Sequence, residues 1–193
     1  GVPGVLVTLL LAVVQGLTEF LPISSSGHLV ICEQALGVGE SGLLMTVALH
    51  LGTLVSVLWF YRRDVHGMLA ELARGEPRRV GLVVLGTLPA GVVGVAFQDF
   101  FREQFQSGRS AAFGLLVTSA VLFVSDRARR AQQAAGADER PLGWRAALLI
   151  GCAQAVAILP GISRSGSTIG AGLLLGLAPV EAARFSFLLS IPA

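Results

Sequence analysis

The chain has 193 residues, of which 53% are hydrophobic and only 13% charged, where a soluble domain carries about 25% charged residues. With a mean hydropathy of +0.74, this composition excludes an ordinary soluble domain and reads as a membrane protein. All 14 basic residues are arginine, and a formal net charge of +2 is too small to suggest a nucleic-acid partner.

The first apolar stretch, Val2 to Leu21, has no basic n-region and no small-residue cleavage site, so it does not read as a signal peptide. A chain that starts at Gly1 without an initiator Met and stops at Ile-Pro-Ala is expected to be a fragment. The stretch ends at Pro22 and a serine cluster, Ser24 to Ser26, which cannot continue a helix. A second short apolar segment, Leu29 to Leu36, follows. Three segments then approach the ~20 helical residues that cross a bilayer: Gly42 to Tyr61, Val80 to Phe97 and the shorter Ser110 to Val124. The loop after the first carries Arg62, Arg63, Arg74, Arg78 and Arg79, and the loop after the third carries Arg127, Arg129, Arg130, Arg140 and Arg145. Between them, Gln98 to Arg109 has only Arg102 and Arg109. The positive-inside rule makes the two arginine-rich loops cytoplasmic, with Trp59 and Tyr61 as interfacial aromatics. The pattern of the start then returns. Trp144 to Leu159 ends at Pro160, and Ile169 to Leu177 follows a second serine and glycine cluster.

Two short apolar segments around a broken turn predict a re-entrant helical hairpin, tolerated at membrane depth where the broken backbone is buried in protein or lines a wet cavity. Three spans between two hairpins make the hairpins enter from opposite faces, with tips meeting near the midplane. The expected fold class is therefore all-α: a polytopic integral membrane protein with inverted-topology repeats. Residues 1–193 form a single membrane domain, with 1–124 as the first repeat and 142–193 as the start of a truncated second one. Gly81, Gly86, Gly91 and Gly94 would allow close helix packing or a homodimer interface.

The two turns share a signature: Gln, seven residues, then Ile-Ser-x-Ser-Gly, at Gln15 with Ile23 to Gly27 and at Gln154 with Ile162 to Gly166. Gln15 and Glu19 stand one helical turn apart on one face and offer hard oxygen ligands suited to a divalent cation, Mg²⁺ or Ca²⁺. The bland reading of the pair is a hydrogen-bonded helix end. Arg164 is permanently charged and sits among Ser163, Ser165, Ser167 and Thr168, with Gly161 and Gly166 freeing the backbone. Hydroxyls, open amides and a bidentate guanidinium make a phosphate cradle; the structural alternative is an ion pair between Arg164 and Glu19. His28 follows three serines, and a histidine beside a serine is the minimum for an activated nucleophile. His50 reads as a supporting hydrogen-bonding residue, His66 as solvated, Glu33 as interfacial, and Glu181 with Arg184 as a helix-start charge pair. Cys32 and Cys152 lack metal-ligand spacing and read as small apolar residues.

The strings GLTEFLPISSSGH and PGISRSGST, with HLGT at His50 to Thr53 and FSFLLSIP at Phe185 to Pro192, closely resemble the bacterial undecaprenyl-diphosphate phosphatases of the bacitracin-resistance type. The resemblance covers essentially the whole chain in order. It implies a multi-pass enzyme of the bacterial plasma (inner) membrane that hydrolyses undecaprenyl diphosphate to undecaprenyl phosphate and inorganic phosphate, recycling the lipid carrier of peptidoglycan synthesis and conferring bacitracin resistance. Its first motif maps onto Gln15, Glu19 and His28, with Ser25 as the hydroxyl proposed to take part in catalysis and Ser26 beside it. Its second motif matches from Pro160 to Thr168, with Arg164 as its arginine. Glutamine in place of glutamate at position 15 leaves one fewer carboxylate for a metal.

The expected chemistry is in-line displacement at the terminal phosphoryl group. The diphosphate charge would be offset by Arg164, loop amides and a divalent cation near Gln15 and Glu19. His28 would serve as base for Ser25 or water, or as the nucleophile itself. The substrate-binding set is Ser26, Gly161, Ser163, Ser165, Gly166 and Thr168. The prenyl tail would stay in the bilayer, and the resemblance implies a pocket that opens to the outer, periplasmic face. The rival reading is a transporter or flippase for a polyprenyl phosphate or another anion.

Overall fold

Helices end where proline and clustered serine or glycine interrupt the apolar runs. The computed structural model describes residues 4–37, 43–105 and 108–193. The expected start of the first span at Gly42 and the Arg102 side chain lie outside the described residues. Among the described residues there are ten α-helices and no strand. Helix α1 (Val5–Phe20) stops at Leu21, whose backbone is extended (φ −83°, ψ 143°), as the residue before a proline prefers. Helix α2 (Ser25–Ala35) then begins inside the serine cluster. The second broken pair repeats this plan: α8 (Trp144–Val156), a turn through Pro160 and Gly161, then α9 (Arg164–Leu174).

Between the pairs lie α3 (Leu43–Phe60), α4 (Arg62–Ala73), α5 (Arg78–Ala96), α6 (Gln98–Phe105) and α7 (Gly108–Ala134), and α10 (Pro179–Leu189) closes the order. Helices α5 and α7 are long and apolar enough to cross a membrane. Three features differ from expectation. The first arginine-rich loop is largely helix α4, because Val65, Met68, Leu69 and Leu72 recur at the i, i+3, i+4, i+7 spacing of an amphipathic helix. The short loop after α5 holds α6. The third span does not stop at Val124 but continues as 27 helical residues. Nothing in Ser125–Ala134 breaks a helix, and Asp126 pairs with Arg130 one turn on at 2.8 Å.

Helix α5 packs against α8 at backbone contact: a Cβ on Gly151 would lie 2.4 Å from the Gly86 carbonyl oxygen. This is the close approach that small residues permit between membrane helices. Around it sits a buried core of Leu82 and Val83 from α5, Ala147 and Ile150 from α8, and Phe185, Leu188 and Leu189 from α10. Gly81 lies under the Trp144 ring and Gly86 against Leu189 and Phe185, so these glycines are occupied within the chain. Outward, α1 exposes Val5 (78%), Leu6 (80%) and Leu17 (62%). Apolar surface of that extent on a soluble protein would be an aggregation liability; it suits a lipid-facing helix.

The two arginine-rich segments meet at one end of the bundle. Arg78 donates to the Leu142 carbonyl at 3.2 Å, and Arg79 reaches both Asp64 (3.1 Å) and Glu71 (3.2 Å). Arg184 pairs with Asp64 of α4 rather than with Glu181. The expected helix-start pair is thereby corrected, since tertiary packing brings a carboxylate from another helix to the guanidinium. Trp59 is 71% exposed with the Arg62 guanidinium 4.7 Å from its ring, the placement expected of an interfacial aromatic.

Candidate functional site

Each signature turn is organised by a serine cap. Ser24 precedes α2 and its hydroxyl accepts the Gly27 amide (3.4 Å); Ser163 precedes α9 and accepts the Gly166 amide (3.0 Å). The capping hydroxyls also contact Ser26 and Ser165 respectively, each at 3.3 Å. Such caps satisfy first-turn amides that no helical carbonyl can reach. Ser24 adopts φ 71°, a left-handed conformation that is uncommon and costly away from glycine.

The two turns touch. Ser165 donates to the Leu21 carbonyl (3.3 Å), and a Cβ on Gly27 would lie 3.2 Å from the Gly161 Cα. At their junction the Glu19 carboxylate gathers three donors: Arg164 Nη2 on Oε1 at 2.6 Å, and Ser25 Oγ (2.5 Å) and Gln15 Nε2 (3.0 Å) on Oε2. The ion pair weighed as a structural alternative is thus present. It shares its carboxylate with a serine hydroxyl held at a distance suited to proton transfer.

Glu19, Ser25, Ser26, Ser163, Arg164 and Ser165 all line one cavity of about 1220 Å³. Its other walls are largely apolar, with Leu51, Leu54 and Val57 from α3 and Ala90, Gly91 and Gly94 from α5. A polar floor under apolar walls suits an amphiphile with an anionic head. His50 and Glu33 also line it, and His66 is exposed on α4.

Five expected site residues do not line this cavity: Gln15, His28, Gly161, Gly166 and Thr168. His28 does not line the cavity; its Nδ1–H donates to the Ser24 carbonyl at 2.7 Å. The partner of Ser25 is Glu19, because α1 presents its carboxylate across the turn while His28 sits one position past Gly27 and folds back on its own helix. Gly161 has φ +84°, and a Cβ there would lie 2.0 Å from the Ala111 carbonyl oxygen, so it is the point where the turn passes under α7. The Gly166 amide is spent on the cap. Thr168 is fully buried, donates to the Arg164 carbonyl (2.8 Å) and meets the Ser186 hydroxyl (2.6 Å); it ties α9 to α10.

Two residues escape sequence reasoning. Thr118 of α7 donates to the Gly161 carbonyl (3.0 Å) and accepts the Ser163 amide (2.8 Å), bracing the second turn from a distant helix; no local signal marks it. Gln154 also lines the cavity, and its repeat correspondence to Gln15 is the signal that points to it.

Among the described residues no three His, Cys, Asp or Glu side chains group as an all-protein metal cage would. The Gln15 Oε1 atom is buried without a partner, but Gln15 does not line the cavity, and only Oε1 of Glu19 keeps a free lone pair, because Oε2 already accepts from Ser25 and Gln15. Of the two expected cation ligands only the Glu19 carboxylate lines the cavity, where one carboxylate suits a cation shared with phosphate oxygens, as Mg²⁺ is commonly held.

Fold and site together define an all-helical membrane protein with a polar cavity built where two serine-capped helix breaks meet. The chain matches the family model described as bacitracin resistance protein BacA over residues 8–193, and it belongs to that family. It is 50% identical over 193 residues to undecaprenyl-diphosphatase 2 of Stutzerimonas stutzeri, covering 95% of this chain and 71% of that protein. It is 47% identical over 192 residues to the undecaprenyl-diphosphatase of Alcanivorax borkumensis, with the same coverage. To that of Halothermothrix orenii it is 43% identical over 183 residues, covering 94% and 68%.

Proposed function

We propose that this cavity hydrolyses undecaprenyl diphosphate to undecaprenyl phosphate and inorganic phosphate, returning the lipid carrier to peptidoglycan synthesis and thereby conferring bacitracin resistance. The observation that carries the reading is the junction of carboxylate, hydroxyl and guanidinium at Glu19, Ser25 and Arg164. A transporter needs the cationic cradle but not a serine hydroxyl 2.5 Å from a carboxylate.

Glu19 takes the proton of Ser25 as its Oγ attacks the terminal phosphorus, and the bridging P–O bond breaks in line, releasing undecaprenyl phosphate. The undecaprenyl phosphate carries that proton away and restores the Glu19 carboxylate; water then attacks the phosphoserine, and Glu19 accepts its proton and passes it to the Ser25 oxygen as inorganic phosphate leaves. Arg164 carries five donors, and its Glu19 contact uses one. The remaining donors face charge that grows on the phosphoryl oxygens, and such preorganised donors stabilise transition states strongly. Ser26, Ser163 and Ser165 supply hydroxyls at the cavity floor. A divalent cation held by the Glu19 carboxylate would neutralise diphosphate charge.

The prenyl tail lies along the apolar wall of α3 and α5 and remains in the bilayer. The two broken helix pairs act as re-entrant hairpins of an inverted repeat in the bacterial plasma membrane, with the arginine-rich end cytoplasmic and the cavity open to the outer face. A homodimer would use a surface other than Gly81 and Gly86, which pack inside the chain.

The test is phosphate release from a prenyl diphosphate in detergent, with a search for phosphoserine on Ser25. Release without any covalent intermediate would assign the attack to water. Retained lipid binding without release would favour the transporter. Cysteines placed at Val5 and Trp144 should be labelled from opposite faces; labelling from one face would refute the inverted arrangement.

A further inference from the structure

Gln154 is 3% exposed, it lines the cavity that holds Ser25 and Arg164, and neither its Oε1 nor its Nε2 has a hydrogen-bond partner. Buried side-chain amides are nearly always paired, because leaving one unpaired forfeits its hydration without return. The repeat sharpens the anomaly. Gln15, at the corresponding place in the first signature, is anchored by Glu19 one turn on. One turn after Gln154 stands Ile158, so this helix face offers the amide nothing.

We infer that Gln154 is a substrate-binding residue whose side-chain amide closes on the diphosphate head in the cavity, an inference that rests on the phosphatase reading above. Its Nε2 donates to a phosphate oxygen, and its Oε1 accepts from water carried in with the headgroup or its counter-cation. A neutral amide suits this place. It adds directional recognition beside Arg164 without a second permanent charge, which would hold the phosphate product too tightly.

The substitution Gln154→Leu separates this role from a structural one, because it removes an unpaired polar group and keeps the volume. Phosphate release from a prenyl diphosphate is measured against substrate concentration in detergent, for the wild type and Gln154→Leu. The melting temperature of both is measured with and without inorganic pyrophosphate. The expected result is a variant that melts at or above the wild type, with KM raised about tenfold, the worth of roughly one hydrogen bond to a charged group, and a reduced pyrophosphate-induced rise in melting temperature. An unchanged KM and an unchanged pyrophosphate shift would overturn the inference. So would a variant that melts lower and loses only kcat, since that marks a packing role. If the wild type itself releases no phosphate, the phosphatase reading fails, and the pyrophosphate shift alone still decides whether Gln154 binds the head.

Discussion

Replacing Thr118 with valine removes one oxygen and nothing else of consequence, since the two side chains have nearly the same shape. That oxygen serves two buried backbone groups of the second turn, the Gly161 carbonyl at 3.0 Å and the Ser163 amide at 2.8 Å. Thr118 is 4% exposed, so solvent cannot take over. Each stranded buried group costs about 1–3 kcal/mol, giving about 2–6 kcal/mol for the pair with no cavity contribution. At about 2–4 °C per kcal/mol for a chain of this size, the melting temperature should fall by at least about 4 °C. The turn carries Arg164 immediately after Ser163, so phosphate release should fall with it. Thr118→Ser keeps the hydroxyl and should recover most of both. The assay is thermal unfolding in detergent beside phosphate release from a prenyl diphosphate. A Thr118→Val protein that melts and turns over like the wild type would refute the claim that α7 holds the second turn in place.

Glu19→Gln and Ser25→Ala should each lower phosphate release by about 10²–10⁴, the usual worth of a positioned base. The double variant should be little worse than either single one, because groups acting as a unit lose their contribution together; additive losses would separate their roles. Gly161→Ala should abolish folded, active protein as judged by size-exclusion chromatography in detergent, since its φ of +84° and the 2.0 Å approach to Ala111 both forbid a Cβ; a monodisperse active variant would contradict the packing. Asp64→Asn takes the carboxylate from Arg184 and leaves Arg79 with Glu71 alone at the arginine-rich end, where the two arginine side chains are 53% and 35% exposed. Screening at such exposure limits the loss to about 1 kcal/mol, and thermal unfolding should show a drop of only a few degrees that high salt diminishes.

Much of the architecture is written locally and is legible there. Pro22 and Pro160 each follow a helix end, because proline lacks the amide and restricts the residue before it, whereas Pro89 is carried inside α5. The serine and glycine clusters after them become helix caps for reasons confined to one turn. The apolar runs of α5 and α7 are long and apolar enough to cross a membrane; the repeated signature points to the two broken turns, in and beside which Glu19 and Arg164 stand out by residue type, while Ser25 is singled out by the family resemblance. Helix α4 and the long end of α7 carry local signals too, but arginine-rich segments between spans read as loops, and that reading hides them.

What no local pattern contains is which group faces which across the assembled bundle. His28 lies three residues from Ser25 and turns to its own backbone, while Glu19 reaches Ser25 from the preceding helix and Arg164 arrives from the other half of the chain. The Thr118 brace, the Arg184–Asp64 pair and the unpartnered amide of Gln154 are of the same kind. Helix formation and helix breaking depend on neighbours within a turn, so sequence decides them. Pairings between distant helices depend on how close their backbones can come, and at Gly86 with Gly151, and at Gly161 beneath Ala111, only the packed tertiary structure sets that distance.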